Sequence, residues 1–196
     1  MTASTRGALA ATVGVVDAGP AQPAAARPLD PQRLGDHVDR LYRAALALCG
    51  GHRHDAEDLV QETYARVLAR PRFLRHDEDL AYLLRVLRNT FLNRVRSDRR
   101  RPAPVELDAE RDAMPRATDP RHPEAALEVS ELLAAIAALP DDQRDAIVAI
   151  DVAGLSYREA ARALRTKEAT ITTRLHRGRA RLADALSATR VPTKSR

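Results

Sequence analysis

The sequence predicts an all-α protein: two small helical domains joined by a flexible, proline-rich acidic linker, with a helix-turn-helix in the second. Three observations carry this. Apolar residues recur at three- and four-residue spacing over about 33–101 and 124–188, the period of helices with one buried face. Prolines gather outside those stretches, at Pro20, Pro23, Pro28 and Pro31 before the first and at Pro102, Pro104, Pro115, Pro120 and Pro123 between the two. Proline lacks the backbone donor and crowds the preceding turn, so it breaks helices. Finally, Leu155–Leu182, LSYREAARALRTKEATITTRLHRGRARL, reads as two helices around a tight turn.

Taken in order, residues 1–32 are rich in Ala, Pro and Gly without apolar period and read as a disordered extension. Leu34, Val38, Leu41, Tyr42, Ala45 and Leu48 then mark one amphipathic helix, which Gly50 and Gly51 end. Asp55 is placed to cap the next, with Asp58 three residues on. Leu59, Val60, Thr63, Val67 and Leu68 supply its inner face, and Pro71 stops it. Leu80, Leu84, Leu87, Phe91 and Val95 define a third, longer helix, with Arg85, Asn89, Asn93 and Arg96 together on its far side.

Residues 102–123 are the predicted linker, which with Glu124 carries six acids against three arginines. Beyond it, Ala125, Val129, Leu132, Leu133, Ile136 and Leu139 form the inner face of one helix. Pro140 separates this from a second around Ile147, Val148 and Ile150, which Gly154 ends. Ser156 and Glu159 have capping-box spacing. Ala160, Ala161 and Leu164 face inward, the turn falls at Arg165–Lys167, and Ile171, Leu175, Gly178 and Leu182 line the last helix. Its outer face carries Thr172, Thr173, His176, Arg177, Arg179 and Arg181, a layout whose second helix can enter a major groove. Residues 189–196 read as a basic tail.

The 196 residues carry a net charge of +5, which favours an anionic partner. The excess is clustered. Arg85–Arg101 holds seven arginines and one acid, Asp98; Arg165–Arg181 holds six basic residues and one acid, Glu168. Two basic blocks point to two contacts with nucleic acid. Neither borders a long apolar run, which argues against membrane attraction. No stretch approaches the roughly 20 apolar residues that span a bilayer. Leu9–Val16 is a poor leader because Asp17 interrupts it, so a cytoplasmic location is expected. The single cysteine, Cys49, excludes an internal disulfide and reads as a small core residue.

Enzyme function is not indicated. The chain has no Gly-rich phosphate loop, nucleophile elbow or Cys/His cluster with zinc spacing, and His52 and His54 read as a solvated turn without further metal ligands. No cofactor is expected. A stand-alone helix-turn-helix regulator and a helical RNA-binding protein are the rival readings.

Two blocks in this order resemble a group IV, or extracytoplasmic-function (ECF), sigma factor of bacterial RNA polymerase. Asp55–Leu68, DAEDLVQETYARVL, is similar to sigma region 2.2. Ala81–Arg101, AYLLRVLRNTFLNRVRSDRRR, is similar to regions 2.3 and 2.4. Leu139–Leu164, followed by Thr173–Leu182, is similar to region 4. The resemblance covers about residues 34–186.

It implies a partner, core RNA polymerase, and promoter DNA that is duplex at −35 and single-stranded at −10. Asp58, Gln61 and Glu62 match the surface that docks on the clamp helices of the largest subunit, although as residues alone they would read as a solvated face. Region 4 is implied to meet the flap of the second-largest subunit. Arg85, Arg88, Asn89, Asn93 and Arg94 match the −10 helix, with Arg96 on the same basic segment, and Phe73–Asp79 matches the loop that receives a flipped base. Tyr82 stands where the family often has Trp. Lys167–Arg177 matches the −35 helix: Arg174 and Arg177 would meet phosphate or guanine, and Lys167, Thr170, Thr172, Thr173 and His176 complete the groove-facing set. His176 reads equally as a surface histidine. The family's turn, usually Gly-Val-Pro-Val-Gly-Thr, is here Arg165-Thr166-Lys167-Glu168-Ala169-Thr170. The linker is either threaded through the polymerase cleft or a plain tether. Many members of the family are held by an anti-sigma protein.

Overall fold

A computed structural model describes residues 27–28, 31–69, 73–74, 79–100 and 123–190. Seven α-helices account for most of it. The chain enters through a 3-10 segment, Pro31–His37, that runs straight into α1, Val38–Leu48. Then come α2, Arg53–Ala69, and α3, Asp79–Arg100. After the linker follow α4, Pro123–Ala137, and α5, Asp141–Ile147, which widens into a π-helical segment, Val148–Val152. The last two are α6, Tyr157–Leu164, and α7, Glu168–Arg190. Two short strands, β1 (Arg27–Pro28) and β2 (Phe73–Leu74), pair antiparallel, with Arg27 opposite Leu74.

Several boundaries differ from the sequence reading for local reasons. The extension was expected to be irregular through residue 32, but the backbone of Arg27–Pro28 finds a ladder partner at β2, and Pro31 starts the 3-10 segment. Proline is tolerated at a first turn because the donor it lacks has no intrahelical acceptor there. The same holds for Pro123, which opens α4 instead of closing the linker. The rest of 1–26 and 101–122 lies outside the described residues, as do 75–78 of the expected base-receiving loop and 191–196 of the tail. α2 begins at Arg53, so Asp55 sits in its first turn, where a carboxylate meets the positive end of the helix dipole. His52 closes the preceding turn on the Cys49 carbonyl.

Three face assignments are corrected. Val38, expected on the apolar row of α1, is exposed. Leu68 is exposed, and the inner row of α2 is Ala56, Leu59, Val60, Thr63 and Val67. On α4, Ala125, Val129 and Leu132 are exposed, Ile136 is buried as expected, and Ala126, which the pattern did not select, is buried with it. Outside a stripe of Glu124, Glu128 and Glu131 that helix is mostly apolar, so its pattern marks a polar side but leaves a face wider than its neighbours cover.

The two helical blocks pack on each other. α1 lies against α4 and the π-helical segment, and α3 lies against α6. One apolar core runs from Leu41, Leu59, Leu83 and Leu87 through Ile147 to Ile171 and Leu175. α5 and α7 approach closely at Gly178, where an added Cβ would stand 3.0 Å from Ile147 Cγ1.

Thr63 and Thr90 are both fully buried in helices. Thr63 donates to the Leu59 carbonyl at 2.7 Å, whereas Thr90 Oγ1 has no partner among the described residues. Burial of an unmatched hydroxyl is costly. Thr90→Val is therefore expected to stabilise the protein by about 1 kcal/mol, read as a higher urea midpoint at unchanged slope; a lower midpoint would refute the unmatched hydroxyl.

The helix-turn-helix forms as its sequence specifies. Ser156 and Glu159 make both bonds of the capping box. Arg165, at the family's glycine position, adopts φ 53°, ψ 49°. A side chain in the left-handed region costs about 1–2 kcal/mol, partly offset in glycine by chain entropy. Arg165→Gly is expected to add roughly 0.5–1 kcal/mol, seen as a rise of a few degrees in Tm, and no rise would mean the turn is unstrained.

Candidate nucleic-acid interface

α3 presents its polar residues in two rows. Asn89, Asn93 and Arg96 are exposed on one side. Arg85, Arg88 and Phe91, at three-residue spacing, point instead to the second block. The Arg85 guanidinium donates to the carbonyls of Arg162 (2.9 Å) and Ala163 (3.3 Å) at the end of α6. Arg88 pairs with Asp145 of α5, and the Phe91 ring lies 5.3 Å from the Arg144 guanidinium. Asp145 is almost fully buried. Burial pushes its carboxyl above the ordinary range, and Arg88 opposes this.

Arg94 sits about 140° round the helix from Asn89, since five residues at 3.6 per turn separate them. It donates to Glu62 Oε2 at 2.7 Å and to the Asp55 carbonyl. Glu62 is also paired with Arg66 one turn along α2. Burial alone would raise the Glu62 carboxyl, but hydrogen bonds from Arg94 and Arg66 outweigh it, and its pKa lies below the usual value. The expected polymerase-docking residues thus divide. Gln61 is exposed and Asp58 half-exposed with His54 beside it. Glu62 is held at the centre of an Arg66–Glu62–Arg94 cluster.

Nearby, Cys49 lines a cavity of about 590 Å³ with His52, Asp55, Phe91, Arg94 and Asp98. Burial, and then the Asp55 charge, push its thiol up to about 12, so it stays protonated and unreactive.

On α7, Lys167 at the preceding turn and Thr172, Thr173, His176 and Arg177 are exposed; Thr170 is half-buried. The Thr172 and Thr173 hydroxyls donate back to the Glu168 and Ala169 carbonyls at 3.1 Å. Arg174 is paired with Asp142 at 3.3 Å, and Arg179, with both its Nε and Nη2, with Asp151. Ile171 and Leu175 are fully buried beneath this face.

Sequence reasoning did not select Arg40, Arg144, Asp142, Asp145 or Asp151. Arg40 of α1 reaches across to the second block, donating to the Ala153 and Gly154 carbonyls at 2.8 Å each. Long-range partners of this kind have no sequence period.

A two-block, all-α protein with a basic α3 and a helix-turn-helix belongs to the helix-turn-helix class of DNA-binding proteins. Residues 34–101 match Sigma-70 region 2, and residues 130–182 match Sigma-70, region 4. The chain is 39% identical over 167 residues to the ECF RNA polymerase sigma factor SigE of Mycolicibacterium smegmatis, covering 83% of this chain and 63% of SigE. It is 36% identical over 150 residues to EcfG of Rhodopseudomonas palustris, covering 76% and 80%. Among solved structures it is similar to the sigma factor RpoE in complex with the anti-sigma factor NepR from Bartonella quintana, with TM-score 0.61, 26% identity, and coverage of 81% of this chain and 97% of that one. The chain belongs to the sigma-70 family, in its ECF group IV branch. It is accordingly a non-enzymatic initiation factor by family. Among the described residues, no helix is long and apolar enough to cross a membrane.

Proposed function

We propose that the chain is an ECF-type sigma factor that binds RNA polymerase core in the cytoplasm, recognises −10 and −35 promoter elements and promotes DNA opening. The observation that carries this is the pairing of two outward polar faces on separate blocks, each with an exposed arginine: Asn89–Asn93–Arg96 on α3 and Thr172–Thr173–His176–Arg177 on α7. Asparagine can bond base edges and arginine phosphates on strands exposed by melting. The α7 face has the donors and methyl groups that read a major groove. Arg85, Arg88 and Arg174 join these faces once their protein partners release them, while Arg94 serves to hold Glu62. Asp58 and Gln61 are the acceptors offered to the polymerase clamp helices, and the second block is the part that meets the flap. The RpoE–NepR likeness supports an anti-sigma protein as a further partner.

The test is capture of bacterial core polymerase by the purified chain. The parent is expected to bind stoichiometrically and an Asp58→Ala, Gln61→Ala variant at least about tenfold more weakly, a loss of about 1.4 kcal/mol. Glu62→Ala separates docking from support, because it also frees Arg94. Absence of capture by the parent would leave a stand-alone helix-turn-helix regulator as the better account.

A further inference from the structure

The segment ahead of α1 is tied down at two points, one on α2 and one between α2 and α3. Leu34, in the 3-10 segment, is buried in the core. Its carbonyl accepts a hydrogen bond from the Tyr64 hydroxyl of α2 at 3.1 Å. Upstream, β1 pairs antiparallel with β2, Arg27 opposite Leu74 and Pro28 opposite Phe73. Opposed residues in such a ladder alternate between exchanging both backbone hydrogen bonds and exchanging none. Pro28 has no N–H to exchange, so the bonded pair is Arg27 with Leu74. A two-stranded ribbon is marginal by itself. Buried Leu34 and the Tyr64 bond supply its anchor.

The ladder meets the chain at a functional place. β2 opens Phe73–Asp79, the segment that by resemblance receives a flipped base. At the other end of that segment Asp79 is buried and begins α3, the helix that carries Asn89, Asn93 and Arg96 outward. One end is thus set by α3 and the other by a strand from ahead of α1. A pocket for an extruded base has to be in place when the base leaves its stack, because unstacking is uphill and only contacts in the pocket offset it. Fixing a binding segment in its bound conformation raises affinity by removing the cost of ordering it.

We propose that the β1–β2 ladder is a positioning element for base readout. The chain ahead of α1, held by Leu34 and Tyr64, fixes Phe73–Leu74 through the Arg27–Leu74 backbone pair, and so sets the segment that selects an unpaired base of the −10 strand. The backbone of Arg27 does the positioning, and its side chain is dispensable for it. This rests on the sigma-factor reading for the ligand, single-stranded promoter DNA.

The test uses the full chain without polymerase, at low salt. The probe is short single-stranded DNA of randomised sequence. Bound strands are sequenced, and amide hydrogen exchange is read at Leu74. The parent is expected to protect the Leu74 amide and to enrich one base at one position about tenfold, within the range of a single well-held base contact. Arg27→Pro removes the donor of β1. It should speed exchange at Leu74 about tenfold and cut enrichment to about twofold or less, as when the competent arrangement is populated on the order of 10%. Arg27→Ala keeps the N–H and should leave both readouts at the parent's values. If Arg27→Pro fails to fold by circular dichroism, Tyr64→Phe, which removes the tie to Leu34, should shift both readouts in the same direction, and no shift there overturns the proposal. A parent that selects no base, or leaves Leu74 unprotected, overturns it too. So does a folded Arg27→Pro chain that keeps Leu74 protection or base selection, or an Arg27→Ala chain that loses selection with Leu74 still protected. Core capture is scored separately. A chain that captures polymerase but selects bases without the ladder fails this inference alone, and one that selects a base but ignores polymerase fails the sigma-factor reading alone.

Discussion

Ile171→Ala is expected to lower stability by about 3–4 kcal/mol. Ile171 is fully buried on the inner face of α7, and deleting three side-chain carbons removes transfer energy and leaves a cavity, together about 2–5 kcal/mol for Ile or Leu to Ala. Alanine's better helix propensity returns only a few tenths. The upper half of the range applies because the site has little room to collapse. Gly178 already brings α7 hard against Ile147 two turns further on, and Leu175 fills the next position. A domain of this size has roughly 5–15 kcal/mol in total, so the variant should be partly unfolded well below the parent's Tm. The functional consequence is indirect, since Ile171 touches no DNA but orients Thr172, Thr173 and Arg174. Urea unfolding at constant slope checks it. A loss below about 1 kcal/mol would mean that the recognition helix is not anchored by this face.

Raising salt from 50 to 200 mM is expected to weaken binding of the chain to promoter DNA by on the order of 10³-fold. Six cations are assigned to DNA: Arg85, Arg88, Arg96, Lys167, Arg174 and Arg177. Each phosphate they neutralise releases counterions, giving a slope of log affinity against log salt near −5. Three of the six are already engaged by protein acceptors in the structure: Arg85 by α6 carbonyls, Arg88 by Asp145, Arg174 by Asp142. If those pairs persist on DNA, the slope falls to about −3. Anisotropy titrations across a salt series distinguish the two, and Arg177→Ala should reduce the slope by about 1 whatever the DNA sequence.

Helix identities and the turn chemistry were written locally. The Ser156–Glu159 box, Gly50 and Gly51 after α1, and the inner row of α7 all depend on residues within one or two turns, where period and capping decide the outcome. Where the local signal was degenerate it failed. α4 is mostly apolar outside its Glu124, Glu128 and Glu131 stripe, so only its neighbours could choose Ala126 and Ile136 over Val129 and Leu132. Arg94 was grouped with the −10 set because it lies in the right segment, although its angular position on α3 already separated it from Asn89.

By itself, then, the sequence determined an all-α chain, two basic helices in a fixed order, and the family to which that order belongs. These follow from charge, spacing and short-range hydrogen bonds that need no partner distant in the chain. Tertiary structure alone decided which basic residues are available. Arg85, Arg88, Arg94 and Arg174 look alike in sequence to Arg96 and Arg177, yet each is held by an acceptor from another helix. Whether an arginine faces solvent or a buried carboxylate is set by long-range packing of the blocks, which no local pattern encodes.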